Sequence, residues 1–549
     1  MLWMEDQPIG PANTRPTPRA RCVVWLPAVL AVGVLLAGCG GLWWQAGRDT
    51  GGFCPYVLDD TYITMAMAKH AAAGVWGVTP HEFSSTTSTP LWVALLAGCY
   101  RLLGPREAAP LVLSSATAVA LLLTLGWLLR REGVQPLPLV LVLLVAMFAV
   151  PLIPLLFCGS EHPLHMLLVV GLVYAGALAL APAPRRGALI ICCALIVPAV
   201  LTRYESAFLV AALMWLAVGR RKFLAAFWLG CAAALPLLGY GLWCASHGWP
   251  LVPTSILMKA ARPEFSLAGL LRFLVGDTPK GAVGLLGILT TPHMLALCVV
   301  LLTAWLALRA RPATPATALA RDVVVVALVG TLLHMQLAQV GWFYRYENYL
   351  LLLGLVAVTL AWQQGLATRG GWTRRAWLAL LVLALCPLAQ RAWHAFRDVP
   401  RAARNIYEQQ VQMALFLREH YAGQAIAAND IGAMNFFTDL RLLDTHGMGT
   451  LAVFNAKREQ SYGPVTLEQL ARQHGVRVAV IYPEWLERKW GGVPSAWRRV
   501  GSWTIPDNMI CAHATVVFYA VAEGEDEPLR QRLQAFAAKL PPAVTWRLP

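Results

Sequence analysis

Charge is what this sequence has least of, and negative charge least of all. Asp, Glu, Lys and Arg make up 13% of its 549 residues, with 29 acidic against 44 basic. Soluble domains carry about 25% charge, so a water-covered globule is excluded. Internal repeats and long low-complexity tracts are absent too, which argues against a solenoid or a disordered tail. The 12 cysteines sit mostly inside apolar runs (Cys99, Cys158, Cys192, Cys193, Cys231, Cys298, Cys386). They show neither metal-ligand spacing nor a disulfide framework, and read as small side chains in a lipid phase.

What fills the chain instead is apolar sequence. Hydrophobic residues are 58% of it and the mean hydropathy is +0.57. Many runs approach the roughly 20 residues that span a bilayer. This is the composition of an α-helical polytopic membrane protein. A net charge of +15 would suggest nucleic acid in a soluble protein. Here the basic residues form short clusters between apolar runs, as cytoplasmic loops do, and no nucleic-acid partner is expected.

Residues 1–21 are Pro-rich and basic, a cytoplasmic flank. Cys22 to Trp44 is the first span. Leu36-Ala37-Gly38-Cys39 resembles a lipoprotein cleavage box, but the apolar run continues to Trp43-Trp44 and further spans follow. Residues 45–110 form a first outer loop, in which Leu91 to Leu103 lies along or dips into the outer face. Spans then follow over 111–129, 136–156, 164–181, 188–201, 207–218, 223–243, 294–308, 323–340, 349–362 and 376–388, about eleven in all. Every compact Arg/Lys cluster falls on one side (Arg130-Arg131, Arg185-Arg186, Arg220 to Lys222, Arg309 to Arg321, Arg374-Arg375), which makes that side cytoplasmic. Every mixed motif with a carboxylate falls on the other. Residues 22–389 are thus the membrane domain. Over 390–549 charge rises and spans stop. Strands at Ala425 to Ala428, Leu440 to Leu443, Val476 to Tyr482 and Thr515 to Val521, with helices at Arg401 to His420 and Thr466 to His474, predict an extracytoplasmic α/β domain.

The outer motifs carry the chemistry. They are Asp59/Asp60 at the head of the polar stretch Val57 to Trp92, Glu161/His162, Arg203/Glu205 with Lys259, and Arg345-Tyr346-Glu347. Carboxylates serve as general bases or hold a divalent metal, while Arg and Lys hold a phosphate or pyrophosphate. Both together at a lipid boundary suit a substrate with a greasy tail and a phosphate-linked head. Structural readings compete at each place. Asp59 suits an N-cap with Asp60 in the first turn, and Glu161 suits a cap for the helix at Pro163. Arg203 and Glu205 suit a pair at a bend, and Lys259 a snorkelling chain. Arg345 and Glu347 suit an aromatic-belt anchor, and Asp444 with His446 a turn.

The order of DDTYITMAMAKHAAAG, SSTTSTPLW, GSEHPL, TRYE, LVPTSILMK, WFYRYEN and NDIGAMNFFTDLRLLDTHGM resembles the GT-C superfamily of membrane glycosyltransferases. It is nearest to bacterial protein mannosyltransferases, aminoarabinose transferases and terminal arabinofuranosyltransferases. The resemblance implies inverting transfer from a polyprenyl-phosphate sugar to a cell-envelope acceptor at the outer face of a bacterial inner membrane. It implies Asp60, eight residues before Ala68-Lys69, as catalytic base, with Asp59 beside it and Glu161 as the acidic position of the second outer loop. Lys259, Arg345 and Arg203 fall to the donor phosphate, and Glu205, Tyr346, Glu347 and His162 to substrate binding. Tyr204 stands where the superfamily's R-x-E element has proline. Metal use varies in the superfamily, so a divalent metal is neither required nor excluded. A transporter or flippase for lipid-linked glycans is the rival from another class, but carriers need ionisable groups near the midplane. A glycan ligase or polymerase would share donor and compartment.

Overall fold

The computed structural model describes residues 18–53, 56–259, 266–275, 284–366 and 371–548. The first helix, α1 (Pro18–Arg48), is followed by α2 (Asp59–Ala72) and α3 (Pro90–Leu103) in the first loop region. Then come α4 (Ala109–Arg131), α5 (Pro136–Ala149), α6 (Leu152–Leu156), α7 (His162–Leu180), α8 (Ala188–Thr202), α9 (Ser206–Gly219) and α10 (Phe223–Ser246). Short α11 (Thr254–Lys259) and α12 (Leu267–Val275) precede α13 (Pro292–Arg309), α14 (Pro315–Leu337), α15 (Asn348–Ala361) and α16 (Gly371–Ile406). Among the described residues seven helices are long and apolar enough to cross a membrane, and four apolar helices are shorter, at 10–17 residues. The chain is a multi-pass membrane protein. The span expected over 136–156 is broken, because α5 stops at Ala149 and α6 restarts after Pro151.

Helix α7 is apolar all round and packs against α4, α8, α9, α14 and α15, as a helix with no polar face must. By contrast α10 turns Phe223, Phe227, Trp228, Leu235 and Leu242 outward, a face that suits lipid. The two ends of α7 differ in chemistry. At its C-terminus Lys222 Nζ donates to the carbonyls of Leu180 (3.0 Å) and Ala181 (2.8 Å), and Arg220 donates to Leu180 at 2.9 Å and to Asp322 of α14 at 2.7 Å. Cations there complement the helix dipole. Its N-terminus holds Glu161 and His162, about 28 Å away at 1.5 Å per residue. The segregation of basic clusters from carboxylate motifs in the sequence is therefore a segregation of helix ends.

From Gly371 the chain is helical to His420: α16 passes through a π-helical turn (Tyr407–Val411) into α17 (Gln412–His420). Beyond lie β1 (Ala425–Ala428), α18 (Gly432–Phe437), β2 (Arg441–Asp444), α19 (Leu451–Arg458), α20 (Pro464–Gln473), β3 (Val478–Ile481), α21 (Pro483–Trp490), β4 (Arg498–Thr504), β5 (Thr515–Ala520), α22 (Asp526–Ala537) and β6 (Thr545–Arg547). They build one six-stranded sheet in the order β2-β1-β3-β5-β4-β6. The first three strands are parallel and the rest antiparallel. In such sheets the carboxyl ends of parallel strands are where sites form. Here the loop after β2 meets the loops of the membrane region: Thr86 and Thr254 both donate to the Met448 carbonyl, at 3.0 and 2.8 Å.

Candidate active site

The segment before α2 and the segment before α7 cross at Gly159. Val57 N donates to Phe157 O at 3.1 Å and the Thr61 hydroxyl to Cys158 O at 2.5 Å. Gly159 has φ +54, and a Cβ there would lie 2.6 Å from the Tyr56 ring and 2.7 Å from Thr61 Cγ2. Only glycine fits that crossing. Helix α2 starts immediately beside it.

Asp59 and Asp60 open α2 and diverge. Asp60 pairs with Arg345. Its side chain is 48% exposed, whereas that of Arg345 is 7% exposed, so the carboxylate faces outward from a buried cation. Asp59 does not cap α2: Leu58 occupies the N-cap and gives no side-chain cap. Its oxygens instead accept backbone N–H from Gly432 (2.8 Å) and Ala433 (2.9 Å), at the start of α18 in the C-terminal sheet region. The N-cap expectation fails because the better-placed donors belong to another helix. Burial pushes the Asp59 carboxyl up to about 7, with the nearby charge of Asp430 adding to it against the two N–H groups. Asp430 follows β1 and accepts from Gln410 Nε2 (2.9 Å) and the Tyr482 hydroxyl (2.7 Å). Burial raises it too, with Asp60's charge adding.

Glu161 lies at the N-cap of α7 but makes no cap bond there. It takes Arg203 Nη1 at 2.7 Å, while Arg203 Nη2 reaches Glu205 at 2.5 Å. His162 Nε2 stands 3.9 Å from Glu161. Tyr346 joins the two arginines, with the Arg203 and Arg345 guanidiniums 5.5 and 5.1 Å from its ring centre. Cation–π contacts of this kind hold arginines without neutralising them. Arg345 leaves a strained loop in which Trp342, Phe343 and Tyr344 all have positive φ. Arg391 props that loop by donating to Tyr344 O (2.5 Å) and to Glu347 (2.7 Å), and Glu347 accepts from Gly341 N at 2.9 Å. Glu347 is fully buried in this brace. The side chain of Lys259, at the end of α11, lies outside the described residues.

The structure thus brings together Asp60, Arg345, Tyr346, Arg203, Glu161, Glu205 and His162, and gives Glu347 a supporting place behind them. Sequence reading missed Asp430, Arg391 and Gly432 as members of this neighbourhood. The signals for Asp430 were its position after a strand, in Asn429-Asp430-Ile431-Gly432, and its place in the motif that opens with those residues. Among the described residues no group of three or more His, Cys, Asp or Glu is placed to hold a metal ion.

Over 90% of its length this chain superimposes on ArnT from Cupriavidus metallidurans bound to undecaprenyl phosphate, covering 98% of that chain, with a TM-score of 0.52 and 12% identity. The chain has the ArnT fold. The apo state of the same ArnT gives a TM-score of 0.50 at 12% identity, covering 91% of this chain and 98% of ArnT. At that identity the likeness speaks to architecture: multiple apolar helices and a C-terminal mixed sheet. Residues 404–519 match a domain of unknown function (DUF8728), a stretch that includes Asp430 and Gly432. No curated protein matches.

Proposed function

We propose that this ArnT-like chain transfers a sugar from a polyprenyl-phosphate donor to an acceptor in the cell envelope, which is a glycan, lipid or protein. The observation that carries this is the half-exposed Asp60 carboxylate set on the otherwise buried Arg345, in a fold shared with a protein that binds undecaprenyl phosphate. Sites that join a base to fixed cations match a reaction that removes a proton at one point and releases a phosphate at another.

In this reading the donor phosphate draws Arg345 away from Asp60, with Arg203 across the Tyr346 ring and Lys259 as further cations. The uncovered Asp60 carboxylate takes the proton of the acceptor hydroxyl. The acceptor oxygen bonds to the anomeric carbon as the bond from that carbon to the phosphate oxygen breaks, inverting the centre. The electron pair leaves with the polyprenyl phosphate, whose charge the arginines hold. Glu161 and Glu205 keep Arg203 aimed, and Glu347 with Arg391 keeps the Arg345 loop. The carboxylates do not fit a divalent metal, since Asp59 is taken by backbone N–H and among the described residues no three His, Cys, Asp or Glu side chains are grouped to hold one, and no step passes through one. The site faces outward from a bacterial inner membrane, with residues 390–549 on the same side. The histidines of α7 and α14 lie in terminal turns (His162 and His165 in the first turn of α7, His334 in the last turn of α14), which favours this reading over a transporter.

The test combines genetics and binding. A deletion strain loses one envelope glycan, read by mass spectrometry, and purified chain binds labelled undecaprenyl phosphate. Arg345→Ala weakens that binding by about tenfold or more, the scale of a charge-assisted contact. Unchanged glycans in the deletion strain, or equal binding by Arg345→Ala, overturn the reading.

A further inference from the structure

We propose that Asp59 is a positioning residue, and that the backbone amides of Gly432 and Ala433 are the means by which the C-terminal region sets Asp60 for catalysis. The proposal rests on the assignment of Asp60 as base. It gives the matched domain of unknown function a part in the active site.

The two oxygens of Asp59 each accept one backbone N–H, Oδ2 from Gly432 and Oδ1 from Ala433. A fork of this kind fixes the carboxylate's plane as well as its place. Asp59 and Asp60 are consecutive in the first turn of α2. Holding one therefore fixes the direction in which the other leaves the helix, and α2 has no side-chain cap of its own to do so. The approach of the two segments is close. A Cβ on Gly432 would lie 2.3 Å from the Asp59 carbonyl oxygen and 2.7 Å from its carboxyl carbon. Contacts along α2 continue the docking. Tyr62 sets its ring against Phe436 (6.1 Å) and Phe437 (5.7 Å). Lys69 Nζ donates to Phe436 O at 2.9 Å and meets Asp439 at 2.9 Å. The loop that presents the amides is itself pinned, since Asp430 is held by Gln410 and Tyr482. The action of this arrangement is on where Asp60 points, and an ångström there is worth up to about a hundredfold in rate.

The experiment uses the full-length chain, expressed in the deletion strain at matched membrane level. Its readouts are restoration of the lost glycan and transfer in membranes given undecaprenyl phosphate carrying labelled mannose, arabinose or aminoarabinose. Gly432→Ala forces α18 off Asp59 and lowers kcat by about tenfold or more, with the donor KM within about twofold. Asp59→Asn sets an amide NH2 against one of the two N–H donors and lowers kcat similarly. Ala433→Pro removes one donor at a first-turn position whose N–H has no partner within the helix. In the double variant Asp59→Asn/Ala433→Pro the asparagine oxygen meets the remaining Gly432 N–H, and kcat recovers severalfold over Asp59→Asn. A merely structural role gives no such recovery. Wild-type kcat in Gly432→Ala overturns the proposal, as does a double variant no better than Asp59→Asn. Where Gly432→Ala does not accumulate, the Asn/Pro comparison decides alone. Full activity in Asp60→Asn would instead sink the assignment of the base and leave the docking contact standing.

Discussion

Asp59 and Asp60 share a peptide bond and almost nothing else. One is half-exposed on Arg345 and the other is held between α2 and α18 beside Asp430. A carboxyl held above its unfolded value stabilises the docked state below that value, and this contribution is lost as pH rises through the folded one. For Asp59 the window runs from the ordinary Asp range near 4 up to about 7. Its charged and titratable surroundings are Asp60 on α2, Asp430 after β1, Tyr482 after β3 and Cys511 before β5. Amide protection at Gly432 and Ala433, corrected for intrinsic exchange, should therefore fall from about pH 4 to about pH 7 and level off above it, and Asp430→Asn should flatten that fall. Protection that rises with pH in the native chain would contradict this environment. The residue types of the site were legible in sequence because Asp60, Glu161, Arg203 and Arg345 sit in polar motifs at the ends of apolar runs. Their partners were not legible. Glu161 suited a helix cap by position and went to Arg203, 42 residues on. Asp59 found its donors 373 residues away.

Elements were read well where a single period dominates. The strands at Ala425 and Thr515 and the helix near Thr466 lie within a residue or two of the observed β1, β5 and α20. β4 was missed: its outward residues are two arginines, Gly501 interrupts its alternation, and its register shifts between Arg499 and Gly501. β6 is three residues long with all of them exposed, too short for a pattern. The last apolar run was expected to end at Leu388, where charge begins to rise. The helix instead continues to His420, because beyond the apolar run it buries Ala395, Val399, Ala402, Ala403 and Ile406 against protein. Helix periodicity persists there while mean hydropathy falls, and a hydropathy boundary is not a helix boundary. One consequence is that residues 390–549, considered as a unit, begin inside a helix shared with the membrane region.

At the scale of the molecule, the sequence and the structure agree on a division between two helix ends, one basic and one carrying the site. Cysteines placed in a cysteine-depleted chain at the exposed positions His81 and Arg397 should react with an impermeant thiol reagent in sealed cells. Those at the exposed positions Arg186, Arg221 and Arg374 should not. The reverse pattern would put the site on the cytoplasmic side and remove a polyprenyl-phosphate donor from the account. The most direct trial of the central claim is sugar transfer by Asp60→Asn in membranes supplied with labelled undecaprenyl-phosphate sugar. That change keeps the size of the side chain and removes its capacity to take a proton. Transfer should fall by about a hundredfold or more, the scale of lost acid–base catalysis, while protein level and undecaprenyl phosphate binding are retained. Near-normal transfer by Asp60→Asn would contradict the account.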